Sequence, residues 1–409
     1  MASAVAVNHR LIIMALLILH MQFFLGLNFG AVAPVIPSLM EDLGIDRGEA
    51  GLLAGMGLGV MSLGSFFGGF IGIRIGFTRA IMIGCFLGGI GIFTPFVESF
   101  GGQVALRFFL GIGAALILPC LGPIIMRVFS NEHYSKASGL TFAAFAGGLA
   151  GGFYITTWIA ESLSWRGAFA IEAGLLLGVG CLWLLFRGFL QLDGRGQTPQ
   201  FPSLHELRIA LSSKVTLLML FADAGPFAVY VGFAAWLPTF YHESLGFSMA
   251  KGSFIVGLIP IFGVIGVLVG GFVRRSKIPQ YYVLIGILLC ITAFGSFLVG
   301  EGLILYLAIA IMGFTSWTYI PTLMTLPMNN PENTEVHVAL VWGLFMSIGG
   351  FSAFLAPFGI GTSADIFESY YPGFIFLSML SLSIVIAGLF INRILPLRSS
   401  DTNLDQISR

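Results

Sequence analysis

The sequence predicts an all-α membrane protein: twelve transmembrane helices in two parallel six-helix repeats. Three observations carry that prediction. Of the 409 residues, 57% are apolar and only 9% are charged, with a mean hydropathy of +0.96; a soluble domain carries roughly 25% charged residues. The apolar residues fall into runs of about the 20 residues that cross a bilayer as a helix. The second half of the chain repeats landmarks of the first at a nearly constant offset. This composition excludes a disordered chain, a coiled coil, a collagen and a secreted disulfide scaffold. The runs are continuous rather than alternating, which speaks against a β-barrel.

Taken in order, crossing 1 is read over 11–37 and stops at Glu41-Asp42. It is too long for a signal-peptide core, and no small-residue cleavage site follows it. Crossing 2 (51–73) ends at Arg74, and crossing 3 (79–97) follows. Crossing 4 (101–127) runs into Ser130-Asn131-Glu132-His133. Crossings 5 (137–160) and 6 (167–187) are separated around Trp165-Arg166. A Gly/Pro/Gln-rich stretch follows, too short to fold alone, and then crossings 7 (214–240), 8 (252–273), 9 (281–299) and 10 (302–326). Asn329-Asn330-Pro331-Glu332 precedes crossing 11 (338–362), and Asp365 separates it from crossing 12 (372–395). The expected organisation is an N-terminal half 1–190, a linker 191–213, a C-terminal half 214–396 and a tail 397–409.

With the N-terminus inside, fifteen of the 19 Lys and Arg fall in inner segments. Arg47, Arg166 and Lys251 are outer, and Arg107 lies within a crossing. Basic residues collect on the cytoplasmic side, so a cell-membrane protein with both termini cytoplasmic is expected. Cys85, Cys120, Cys181 and Cys290 all fall inside crossings, with no CxxC pair, and read as small apolar fillers. No Walker loop, nucleophile–base pair or metal-ligand cluster is present. No enzyme activity, cofactor, metal or nucleic-acid partner is therefore expected. The expected partners are the lipid bilayer, a small-molecule solute and a coupling ion, H⁺ or Na⁺, and the chain is expected to be a monomer.

The repeat is specific. Ile36-Pro37-Ser38-Leu39 matches Leu237-Pro238-Thr239-Phe240, and Leu43-Gly44-Ile45 matches Leu245-Gly246-Phe247. Gly68-Gly69-Phe70 matches Gly270-Gly271-Phe272; Gly111 falls on Gly313, Pro119 on Pro321, and Gly147-Gly148 on Gly349-Gly350. Parallel repeats of this kind suit a two-lobed alternating-access transporter.

Three motifs give the repeat a family resemblance. Gly69, Arg74, Gly76 and Arg79 form a glycine/arginine loop after crossing 2, with Ile73 where an acid is expected. Crossing 4 carries Arg107-Phe108-Phe109-Leu110-Gly111-Ile112-Gly113, an Arg-x-x-x-Gly-x-Gly pattern. Crossing 5 carries Gly147-Gly148-Leu149-Ala150-Gly151-Gly152, a glycine skeleton with Gly148 in place of an exporter proline. With Trp165-Arg166, these resemble the major facilitator superfamily over essentially the whole chain, with a looser similarity to small-anion permeases of the cyanate type. The resemblance implies that crossings 1, 4, 7 and 10 line a central cavity. It also implies that Arg74, Gly76 and Arg79 take part in gating. Each of those four crossings carries two prolines, and Pro119, Pro226 and Pro321 are candidate gating bends.

Ionised groups within a bilayer are costly and mark sites. Asp223 lies about ten residues into crossing 7, with Tyr230 two turns on along the same face. It reads as a proton-coupling or cation-binding carboxylate. Arg107, with the small Gly111 and Ala114 on its face, reads as an anion-binding or coupling guanidinium. His20, near the repeat position of Asp223, suits a proton relay, and Asn28 lies two turns beyond it. Asn28, Tyr154, Tyr230, Trp317 and Tyr319, with Arg107, are candidate solute contacts. Glu172, about a turn and a half from a boundary, reads as scaffold able to reach water. Three functions are in view. The first is a proton-coupled transporter of a small anionic or zwitterionic organic solute; a proton-driven exporter of lipophilic compounds and a non-transporting sensor of the same fold are the alternatives.

Overall fold

A computed structural model describes residues 2–128, 134–190, 204–326 and 335–394. Of the expected linker only 204–213 is described. The 397–409 tail and the loop residues 129–133 and 327–334 lie outside the described residues.

The described residues form helices, with no strand among them. Eleven stretches are long and apolar enough to cross a membrane. One of them, Leu140–Arg187, has 48 residues, which at ~1.5 Å each is about 72 Å, over twice the ~30 Å hydrocarbon core. It breaks at Ser164, where φ is 63° and ψ 168°. That stretch therefore holds crossings 5 and 6, and the count returns to twelve.

The repeat reappears in the turns. Crossing 1 ends at Gly44 (φ 62°) and crossing 7 at Gly246 (φ 69°), both left-handed, a conformation that favours glycine. Two residues later Asp46 caps crossing 2 and Ser248 caps crossing 8, each side chain accepting from a backbone N–H of the first turn.

The prolines divide by position. In crossing 1, Pro34 lies in a short 3₁₀ turn, Ala33–Val35, and Pro37 in the first turn of a new helix, Ile36–Leu43. In crossing 10, Pro321 opens Ile320–Thr325 just after the helix Leu303–Thr318 stops. Crossings 4 (Phe100–Val128) and 7 (Lys214–Leu245) run through their prolines as single helices. Of the three candidate bends, Pro321 coincides with a helix break, while Pro119 and Pro226 do not.

Glycines set how closely the helices approach. A Cβ built on Gly26, Gly30, Gly148 or Gly152 would meet the facing backbone between crossings 1 and 5. Gly266, Gly270 and Gly313 do the same between crossings 8 and 10, and Gly51 and Gly361 between crossings 2 and 11. In lipid, where helices gain little from burying apolar surface, such close backbone contact is what holds them together.

Crossing 11 packs along crossing 2, and crossing 8 against crossing 5, so these seams join the two repeats. One apolar core runs across them, from Ile36 and Leu53 to Trp236 and Ile360. At one end of the 2/11 seam the side chains are polar. Arg47 donates from Nε to the Tyr370 hydroxyl (2.8 Å) and from Nη2 to Glu243 Oε2 (3.0 Å), and Tyr370 donates to the same carboxylate (2.9 Å). Asp365 accepts from the backbone N–H of Gly48 (2.8 Å) and of Arg47 (3.3 Å), so it caps crossing 2 from the opposite repeat. Burial pushes the Tyr370 phenol well above its ordinary range, so it stays a donor. Asp42 fastens the neighbouring corner, accepting from Trp165 Nε1 (3.0 Å) and Arg166 Nε (2.8 Å).

Candidate functional site

Two polar clusters lie inside the helical bundle. The first is built by crossings 7, 10 and 11. Asp223 is 2% exposed, and its Oδ1 accepts from the Tyr319 hydroxyl at 2.5 Å. Tyr319 stands at the break of crossing 10, between Thr318 and Ile320. Gly349 of crossing 11 packs so closely on Oδ2 that no Cβ would fit there. Among the described residues the ion pairs within 4 Å are Arg47–Glu243, Arg47–Asp365, Arg166–Asp42 and Lys251–Glu301. None involves Asp223.

One turn along crossing 7 an aromatic group continues this cluster. The Phe227 and Tyr230 rings stack at 6.3 Å, and Trp317 stands edge-on to both, at 6.2 and 5.2 Å. Phe227 also borders Gly349. Asp223, Tyr230, Trp317 and Tyr319 are thus brought together. Two further hydroxyl pairs, Tyr281–Thr318 (2.5 Å) and Tyr282–Thr322 (3.1 Å), tie crossing 9 to crossing 10 around Tyr319. Neither tyrosine was singled out from sequence, because nothing in helical spacing shows which residue of crossing 9 meets crossing 10.

The second cluster joins crossings 1, 4, 5 and 6. Arg107 is 9% exposed. It donates from Nη1 to the Asn28 carbonyl (2.7 Å) and lies 4.2 Å over the Phe169 ring. Asn28 Nδ2 donates to the carbonyls of Phe24 (2.9 Å) and Glu172 (3.0 Å). Glu172 Oε1 accepts from Thr156 at 2.5 Å. A cavity of ≈ 20 Å³ beside Arg107, bounded by Gln103, Thr94 and Phe169, has room for about one water. The two clusters share no residue, and Asp223 does not line the small cavity beside Arg107. Glu172 departs from expectation: it is fully buried rather than within reach of water, with Thr156 on its carboxylate and Asn28 on its backbone carbonyl.

The other candidates lie apart. His20 is exposed, and its Nδ1 meets the Leu16 carbonyl of its own helix at 2.7 Å. Tyr154 sits on the 5/8 seam, donating to the Phe254 carbonyl (3.2 Å) with its ring against Gly257. Gly76 (φ 96°) makes the turn between crossings 2 and 3, and Arg74 and Arg79 flank it exposed. Cys85, Cys120 and Cys290 are buried and Cys181 is exposed, all as free thiols.

Residues 18–357 match the model of the Major Facilitator Superfamily. The chain belongs to this superfamily. The gallate transporter of Pseudomonas putida is 23% identical over 330 residues, covering 71% of this chain and 72% of that protein. The 4-hydroxybenzoate transporter PcaK of the same species is 24% identical over 329 residues, covering 72% of each. An uncharacterized protein of Campylobacter jejuni, Cj0987c, is 26% identical over 287 residues, 68% of this chain and 87% of that one. Among solved structures, a point mutant of the nucleoside transporter NupG superposes with a TM-score of 0.73 at 15% identity, covering 92% of this chain and 98% of that one. A bacterial homologue of the human drug peptide transporters PepT1 and PepT2 gives 0.69 at 16% identity, covering 96% and 98%. These superpositions carry the fold. The chain is a multi-pass membrane protein of the superfamily's transporter type, with lipid around it and a small molecule as its solute.

Proposed function

We propose that this protein moves a small organic anion, an aromatic carboxylate in the first instance, across the cell membrane by alternating access, with a proton carried on Asp223. The relatives named for gallate and 4-hydroxybenzoate support the solute class. The observation that carries the coupling is Asp223 itself, a buried carboxylate with a tyrosine donor and, among the described residues, no cation within ion-pair distance. An uncompensated charge in that position costs several kcal/mol. An anionic solute approaching the Phe227, Tyr230 and Trp317 rings would meet a like charge. A proton on Asp223 removes that repulsion, and the Tyr319 hydroxyl is then free to donate to the solute carboxylate. Solute and proton thus enter together.

Arg107, Asn28 and Tyr154 have polar groups already engaged by protein partners. They are assigned to holding the first six crossings and their seam, and His20 remains a relay candidate. The fifteen-to-three split of basic residues favours cytoplasmic termini, which puts the Arg47 end outside. The halves 1–190 and 214–396 would then rock as bodies about the 2/11 and 5/8 seams, in a monomer.

The test uses the full chain in proteoliposomes with an inward proton gradient and labelled benzoate, 4-hydroxybenzoate or gallate. Accumulation above equilibrium is expected for at least one of them. Asp223→Asn should abolish accumulation while solute exchange persists. Equal accumulation by Asp223→Asn removes Asp223 from coupling, and no transport of any of the three removes the solute class.

A further inference from the structure

Glu172 has no part in the transport cycle described above, yet its setting is unusual. It is fully buried, and of its two carboxylate oxygens Oε1 accepts from Thr156 while Oε2 has no hydrogen-bond partner among the described residues. Its cationic neighbour in the cluster is Arg107, joined to it through Asn28, whose carbonyl accepts from Arg107 and whose amide donates to the Glu172 carbonyl. The ion pairs within 4 Å do not include these two. Thr156 belongs to a single π-helical turn, Gly152–Thr156, inserted in crossing 5. Such a turn is a local widening that recurs at functional sites. Tyr154 belongs to the same five residues and reaches the opposite way, onto Phe254 and Gly257 of crossing 8. One short, irregular turn therefore touches a buried carboxylate on one side and the facing repeat on the other.

We propose that Glu172 is a second proton-binding site, and that the π-turn passes its charge state to the 5/8 seam. An arginine keeps its charge in a protein, so Arg107 with an ionised Glu172 is neutral. A proton delivered from hydronium onto Oε2, one O–H bond breaking as another forms and water being left behind, turns the cluster into a single buried positive charge. Such a charge is costly in a dry interior, so the proton binds where the cluster has opened to water. Proton binding and opening of the seam then favour one another.

The elements packed on crossing 6 bring few other groups. Crossing 4 gives Arg107, crossing 5 Thr156, and crossing 1 Asn28. His20, two turns before Asn28 on crossing 1, is engaged with Leu16. Cys85 of crossing 3 lies by Gly180, two turns away, and Lys251 at the start of crossing 8 pairs with Glu301.

The test needs no solute, so its failure is separate from that of the Asp223 reading. In an Asp223→Asn background, proton uptake by the detergent-solubilised full chain is followed with a pH dye after an acid jump. Adding Glu172→Gln should lower uptake by one proton per chain. Spin labels on cysteines at Leu140 and Ile265, with Cys181→Ser, report the 5/8 distance. That distance should move with pH in Asp223→Asn and stay fixed once Glu172→Gln is added. Thr156→Val should keep the proton and lose the movement, which covers the case in which Glu172→Gln fails to fold. Unchanged proton uptake in the Glu172→Gln double variant, or unchanged movement in Thr156→Val, overturns the proposal.

Discussion

At the scale of single residues, the Asp223–Tyr319 bond decides whether the first cluster acts as a unit. A hydrogen bond to a charged group contributes roughly 1.5–3 kcal/mol, so Tyr319→Phe should slow proton-driven uptake on the order of 10- to 100-fold. In detergent unfolding, Tyr319→Phe should cost less on Asp223→Asn than on the parent chain, since coupled residues are non-additive; full additivity in that double-mutant cycle would show that Tyr319 acts elsewhere. Both residues were legible in the sequence, because ionisable and hydroxyl groups in apolar runs are conspicuous. Their bond was not. Helical spacing places a side chain on a face of its own helix and says nothing of which neighbour it meets. Glu172 shows the same limit. Its distance from the boundary suggests access to water, and only its complete burial beside Thr156 shows otherwise.

At the scale of elements, what could be read were the runs and what ends them. The left-handed glycines at 44 and 246 and the caps at 46 and 248 recur at one offset, and the matching Leu-Gly pairs announced the first of these. What could not be read was the effect of each proline. Pro37 and Pro321 lie in first helical turns, where a missing N–H costs nothing, and crossings 1 and 10 break there. Pro119 and Pro226 sit within continuous helices, where context alone decides. The glycine seams give the firmest expectation at this scale. Gly148 faces the backbone of Phe23 and Leu27, so Gly148→Leu must push crossing 5 off crossing 1. Overpacking of this kind costs about 1–3 kcal/mol or more, and the unfolding midpoint in detergent should fall. Gly178, with open space around its Cα, should accept Leu with no such loss; equal losses at both sites would argue against the seam as drawn.

For the whole molecule, alternating access requires that a closed end reopen, and the closed end here is held by few polar contacts across an apolar seam. Arg47 touches Glu243, Asp365 and Tyr370 at once, and its side chain and those of the two acids are about a third exposed. Exposed pairs contribute only about 0–1 kcal/mol each, which is weak enough to break in every cycle. The Asp365 cap on the first turn of crossing 2 adds about 1 kcal/mol. Removing either should therefore shift the balance of states without unfolding the protein. Arg47→Ala is expected to raise the population open at that end by roughly 5- to 30-fold, at about 1.4 kcal/mol per tenfold. Spin labels at Glu41 and Ser244, both exposed, would report it as a longer distance component growing in Arg47→Ala and in Asp365→Ala. Arg47→Lys should give an intermediate result, because an ammonium keeps the charge but cannot span three partners in one plane. An unchanged distance distribution in both alanine variants would mean that the apolar contacts of crossings 2 and 11 alone keep this end shut, and the polar cluster would then be a consequence of closure rather than a contributor to it.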